Sequence, residues 1–329
     1  MEHCNGIAAV GRWLSTKPKV IFVLGATATG KSKLAIRLAA RFDGEVINSD
    51  KIQAHDGFPV ITNKVTDEEH AGVAHHLLGG VRPDADFTAE DFRREAAAAV
   101  ARVHAAGRLP VVAGGSNTYV EALVSGGAFL AVYDCLFLWT DVAPDLLRWY
   151  TAARVDDMVR RGLVGEARAG FDAGADYTRG VRRAIGLPEM HGYLLAEREG
   201  AGAEEDDDLL AGMLEAAVRE IKDNTFRLTV SQVAKIRRLS ALPGWDVRRV
   251  DATAVVARMA EGAPHGETWR EVVWEPCEEM VSRFLETPAA TAAAVVANGK
   301  VDVNVGDAAT GGAGVPEAAA AAAVAAGVV

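Results

Sequence analysis

VIFVLGATATGKSKLAIRLA, running from Val20 to Ala39, is the stretch that decides the fold. Residues Gly25 to Ser32 fit the phosphate-binding pattern G-x-x-x-x-G-K-[ST]. The apolar run Val20–Leu24 precedes it as a strand, and a helix-like run, Lys33 to Phe42, follows it. In this context Gly25, Ala26, Thr27, Ala28, Thr29, Gly30, Lys31 and Ser32 form a loop whose backbone N–H groups surround phosphate oxygens. Lys31 neutralises phosphate charge, and the Ser32 hydroxyl is placed to ligate Mg²⁺. The loop alone does not say which phosphate compound it holds.

Working outward, strands and helices alternate through the first half. Glu45–Asn48 reads as a second strand ending in Ser49-Asp50, and Phe87 to Ala106 as a helix capped by Thr88 and closed by Gly107. Pro110–Ala113 is a third strand ending in G-G-S-N-T-Y, and Leu136–Thr140 a fourth ending in Asp141. This alternation predicts an α/β fold, a P-loop NTPase-like parallel sheet with helices on both faces. Ligands bind beyond the carboxyl ends of such strands. The phosphate loop, Asp50 and Ser116–Thr118 therefore converge although they are far apart in sequence.

The second half adds a smaller, mostly helical region. Leu146–Gly162, Leu209–Ile221 and Thr225–Leu239 have helical periodicity, and the acidic run Glu204 to Asp208 reads as an exposed loop. The expected divisions are 1–18, a flexible N-terminus; 19–141, the core; 142–286, a helical substrate-binding region packing back on it; and 287–329, a low-complexity Ala/Gly-rich tail.

Bulk properties bound the function. The formal net charge of −10 argues against a long nucleic-acid partner, whose phosphates call for a basic face. No apolar run reaches the ~18 residues of a membrane span. Cys4, Cys135 and Cys277 form neither a disulfide framework nor a zinc module. The short N-terminus lacks a secretory h-region, which places the cytosol ahead of the plastid.

Asp50, at a strand end facing the sheet mouth, can ligate Mg²⁺ or take a proton; an aspartate there serves equally as a turn or helix cap. Gly114–Thr118 offers hydroxyls to a diphosphate, although such turns also arise for geometric reasons. His75 and His76 point to opposite sides of an extended segment and read as structural.

Taken in order, the motifs resemble the isopentenyltransferase family. GATATGKS, EVINSDKIQ, ITNKVT, HHLLG and VVAGGSNTY are followed by RVDDMVRRGLVGE, DYTRGVRRAIGLPE and IKDNTFRL, covering about Lys19 to Leu242. The plant adenylate members, the cytokinin synthases, are the most similar; the tRNA-modifying members are the alternative, and a small-molecule P-loop kinase a distant one. The resemblance implies transfer of a dimethylallyl group from dimethylallyl diphosphate to N6 of the adenine of AMP, ADP or ATP, with ATP and ADP ahead of AMP. This is the first step of cytokinin biosynthesis.

The resemblance further implies that the phosphate loop grips the donor diphosphate as a leaving group, with Mg²⁺ as cofactor. Lys31 and Ser116 match positions that stabilise that group, and Asp50 matches the general base. Arg154, Lys222 and Lys235 match candidates for the phosphates of the two substrates. Four positions depart from the pattern. Ala28 stands where many relatives have glycine, so an ordinary backbone geometry is expected there. His55 replaces a common tyrosine, Ala74 a proline, and Ser231 an arginine before Gln232 that would offer a phosphate contact.

Overall fold

In a computed structural model, which describes residues 17–200 and 204–286, six strands form one sheet. These are β1 (Lys19–Gly25), β2 (Gly44–Asn48), β3 (His75–His76), β4 (Leu109–Ala113), β5 (Asp134–Asp141) and β6 (Val247–Asp251). Their order is β3-β2-β4-β1-β5-β6 and every pairing is parallel. β1 is central, with Val23 opposite Ala113 on one side and Gly25 opposite Thr140 on the other.

A central parallel strand needs apolar side chains on both faces, and β1 supplies them. Ile21 and Val23 pack with Leu34 and Leu38 of α1 (Lys31–Arg41). Val20, Phe22 and Leu24 point the other way. They meet Phe92 and Val103 of α3 (Ala89–Ala105) and Leu123 of α4 (Asn117–Val124), while α2 (Asp67–His70) lies between β2 and β3. The Thr88 cap of α3 forms as expected, its side chain accepting from the Asp91 backbone N–H, and Gly107 follows at φ +75°.

The remaining helices are α5 (Ala128–Val132), α6 (Pro144–Arg160), α7 (Leu163–Ala169), α8 (His191–Glu199), α9 (Glu204–Ser240), α10 (Thr253–Ala260), α11 (Gly266–Trp269) and α12 (Glu275–Glu286). Val155, Met158, Leu163, Met190 and Ile221 knit α6 to α9 around a core of their own. Trp269, Trp274 and Cys277 return to the α1 face, where the Arg37 guanidinium lies 4.5 Å from the Trp274 ring centre.

Three readings change. The 204–208 run is the start of α9, not a loop. The two helices expected at 209–239 are one continuous helix of 37 residues. β3 and β6 were not foreseen, and β6 takes its residues from the second half of the chain to extend the sheet beyond β5. The segments read as a flexible N-terminus, up to residue 16, and as a low-complexity tail, 287–329, lie outside the described residues.

Candidate active site

The phosphate loop connects β1 to α1 in a tight, internally bonded turn. Thr29 Oγ1 donates to the Ala26 carbonyl at 2.9 Å and lies 2.9 Å from Thr140 Oγ1 on β5. A Cβ on Gly25 would stand 2.5 Å from both hydroxyl oxygens, so only glycine fits between the loop and β5. Ala28 has φ +65°, which corrects the expectation of ordinary geometry. The loop requires a left-handed residue there, and alanine adopts it at a cost of about 1–2 kcal/mol.

Lys31 is buried, and its Nζ donates to the Ala26 carbonyl at 3.2 Å. Its pKa falls from 10.5 to about 8, chiefly through burial, then through the Arg154 charge, with Asp50 opposing. Arg154 reaches over from α6, its Nη1 donating to Thr27 Oγ1 at 2.8 Å. Burial lowers the Arg154 pKa, and Asp50 again acts in the opposite sense. Ser32 is exposed at the start of α1.

Asp50 follows β2. Its Oδ1 accepts from the Ile52 N–H at 3.0 Å, so the turn role is real. Its Oδ2 has no hydrogen-bond partner among the described residues and borders Gly115, where a Cβ would sit 3.3 Å away. The turn after β4 closes directly on this segment. The Ser116 N–H donates to the Ser49 carbonyl at 3.2 Å, and Ser116 Oγ accepts from the Lys51 N–H at 2.9 Å. A side chain on Gly114 would collide with the Ser49–Asp50 backbone. Asp50, Ser116 and the loop thus converge as the topology predicts.

The basic candidates separate. Arg154 touches the loop. Lys235, on α9, belongs with Lys51 and Arg183: burial lowers the Lys51 pKa most, followed by the Arg183 charge, with Asp86 opposing and Lys235 adding to the lowering. Lys222 instead pairs with Asp156 of α6 at 2.6 Å. Lys51, next to Asp50 in the chain, thus lies in the field of two further cations, Lys235 and Arg183, the latter paired with Asp86 at 3.3 Å.

Sequence reasoning missed Gln232. Its Oε1 accepts from the Thr27 N–H at 2.8 Å, its Nε2 donates to the Gly115 carbonyl at 3.0 Å, and its own carbonyl accepts from Asn117 Nδ2 at 3.2 Å. One buried amide thus ties the phosphate loop to the turn carrying Ser116. Ser231 beside it is exposed. Lys51 and Arg183 were also missed, although both lie inside motifs already singled out. The histidines are structural: His55 is fully buried with Nε2 2.9 Å from the Ala85 carbonyl, His75 Nδ1 lies 2.9 Å from the Val73 carbonyl, and His76 pairs with Glu45 at 2.6 Å. Among the described residues no group of three or more His, Cys, Asp or Glu side chains is placed to hold a metal.

A phosphate-binding loop held by Lys31 and Arg154, with an aspartate carboxylate and a serine hydroxyl nearby, can support departure of a phosphate-type group and removal of a proton. Known proteins share this frame. The chain is 48% identical over 272 residues to adenylate isopentenyltransferase 5, chloroplastic, of Arabidopsis thaliana, covering 82% of this chain and 81% of that one. Identity is 46% to adenylate isopentenyltransferase 7, mitochondrial, of the same plant, covering 84% and 83%. It is 41% to the adenylate isopentenyltransferase of Humulus lupulus, covering 80% and 89%. Among solved structures, the tRNA isopentenylpyrophosphate transferase of Bacillus halodurans superimposes with a TM-score of 0.62 at 23% identity, covering 82% of this chain and 98% of that one. A eukaryotic dimethylallyltransferase acting on tRNA gives 0.59 at 22%, covering 82% and 86%. At those identities the two structures speak for the fold. The IPP transferase pattern matches residues 53–132 and 128–239, which carry the Ser116 turn, Arg154 and Gln232, and the chain belongs to the IPP transferase family.

Proposed function

We propose that the protein transfers the dimethylallyl group of dimethylallyl diphosphate to N6 of the adenine of a free adenine nucleotide, ATP or ADP ahead of AMP. The observation that carries this reading is the unpartnered Asp50 Oδ2, held beside Ser116 and within the field of Lys31 and Arg154. The C1–O bond of the donor breaks, a bond from N6 to C1 forms, diphosphate leaves, and the N6 proton passes to Asp50. Lys31, Arg154 and the loop N–H groups stand ready for the charge that builds on the leaving diphosphate, and Ser116 offers its hydroxyl to it. Lys51, Arg183 and Lys235 lie on the Asp50 side, where additional acceptor phosphates find counter-charges, and this supports ATP and ADP over AMP. Lys222, paired with Asp156, lies outside this set, and we assign it to support of the α6–α9 packing.

Mg²⁺ fits a site with one exposed protein hydroxyl, Ser32, because this cation is usually held by few protein groups together with substrate phosphates and water. When bound, it supplies further positive charge to the diphosphate oxygens. No helix among the described residues is long and apolar enough to cross a membrane. The compartment names of the Arabidopsis relatives, chloroplastic for one and mitochondrial for the other, favour an organelle, such as a plastid, over the cytosol for this chain.

Asp50→Asn tests the assignment. It keeps the turn-forming oxygen but loses the base, so turnover falls by ~10²–10⁴ while donor binding persists. A variant that keeps most of its turnover contradicts the role of Asp50.

A further inference from the structure

The strand order puts the phosphate loop between two crevices. Asp50 and Ser116 follow β2 and β4, on one side of β1. Helices α6 and α10 follow β5 and β6, on the other side, and a cavity of about 440 Å³ lies between them. That volume is within the range of small-molecule sites. Its walls include the aromatic pair Trp149 and Tyr150, the cationic side chains Arg154 and Arg160, and His265.

Three features give this cavity a chemical preference. The Trp149 and Tyr150 rings are nearly parallel, 18° apart with centres separated by 6.1 Å, and Trp149 remains 40% exposed. A large flat ring left open beside a cavity, as Trp149 is, forms a stacking platform for a planar base, and Tyr150 beside it packs partly against the core. The lining holds two arginines against one acid: Asp157 is shared by Arg160 at 3.2 Å and by Arg161, outside the lining, at 3.0 Å, and Arg154 stands apart from that cluster. Arginines in such a rim recognise phosphate oxygens. Finally, Arg154 borders this cavity while its guanidinium donates to Thr27 Oγ1 in the phosphate loop.

We propose that the cavity between α6 and α10 binds a second purine nucleotide, separate from the acceptor, with its base against Trp149 and Tyr150 and its phosphates directed past Arg154 to the loop, where they exclude the donor diphosphate. The enzyme would then be restrained by high concentrations of its own acceptor class. The exclusion rests on the reading that the loop holds the donor; the binding site itself does not.

Inosine 5′-diphosphate is a suitable probe, because it lacks the exocyclic amine and cannot be prenylated. With the full chain, it is expected to inhibit competitively against dimethylallyl diphosphate. Trp149→Ala and Arg160→Glu are each expected to raise that inhibition constant by about tenfold or more, the scale of one lost stacking or phosphate contact, with kcat and donor KM unchanged. Equilibrium dialysis of the same nucleotide separates the two layers. Binding weakened by Trp149→Ala but not competitive with the donor leaves the cavity site standing and overturns the placement of the donor on the loop. Inhibition directed only against the acceptor, with dialysis unaffected by either substitution, overturns the cavity site.

Discussion

Gln232 Oε1 accepts the Thr27 backbone N–H at 2.8 Å, joining α9 to the phosphate loop across 205 residues of sequence. Its Nε2 continues the link to the Gly115 carbonyl. These two bonds join the loop proposed to hold the donor to the turn beside Asp50, which makes Gln232 a candidate positioning residue. Gln232→Leu leaves the Thr27 N–H without its partner, at about 1–3 kcal/mol, while the Gly115 carbonyl keeps only its bond from the Asn117 N–H. The expected result is a fall in kcat of ~10²-fold, since a small misplacement of reacting groups is enough for that. Gln232→Glu keeps the acceptor for Thr27 and is expected to retain more donor affinity than Gln232→Leu, read as the donor KM of the two variants.

With the donor on the loop as proposed, Lys31 is expected to make its binding pH-dependent. Burial and Arg154 bring its pKa to about 8, against the opposing effect of Asp50. Below about 8 the ammonium is present when the donor arrives. Above it the free enzyme holds a neutral amine, and diphosphate binding must take up a proton. The donor KM is therefore expected to rise as pH increases through about 8, by up to about tenfold per pH unit. The unliganded fold responds with the opposite sign. The unfolded chain holds the Lys31 proton more tightly, so this group adds stability as pH rises from about 8 to about 10.5. Initial rates and denaturant titrations over the same pH series read both signs.

Ala28 carries a left-handed backbone in the phosphate loop. Ala28→Gly relieves about 1–2 kcal/mol of strain but gives up a buried methyl group and adds chain entropy on unfolding. These effects nearly cancel, so the variant is expected to stay within about 1 kcal/mol of the parent and to keep its donor affinity. Ala28→Val places a β-branched side chain at the same positive φ and is expected to lose both stability and donor binding. Thermal unfolding and donor KM distinguish the two variants.

Gly114 packs against the backbone joining Ser49 to Asp50. Gly114→Ala must push that segment away and carry Asp50 with it. The expected signature is a loss of kcat larger than the rise in donor KM, because the substitution acts on the Asp50 segment directly and on the phosphate loop only through Gln232. Equal losses in both would indicate a wider collapse of the sheet edge.

The loop, Asp50 and Ser116 were legible in the sequence because each sits at the end of an apolar run, and parallel strands end on one side of the sheet. β6 was not legible: Val247, Arg248, Arg249, Val250 and Asp251 form an edge strand with charged positions still exposed, so no apolar run marks it. The continuity of α9 was hidden by its acidic start, which imitates a solvent loop. The strain at Ala28 escaped because composition does not reveal φ. Gln232 escaped because its partners lie 117 and 205 residues away, and nothing local distinguishes it from any other helical glutamine.

The central claim is tested most directly by supplying labelled dimethylallyl diphosphate and Mg²⁺ to the purified full chain with AMP, ADP, ATP or unmodified tRNA as the acceptor. The account predicts label on free nucleotide, with ADP and ATP outpacing AMP, and labelling of all three slowed by ~10²–10⁴ in Asp50→Asn. Label found only in tRNA, or phosphate transferred from ATP without any prenylation, would contradict it.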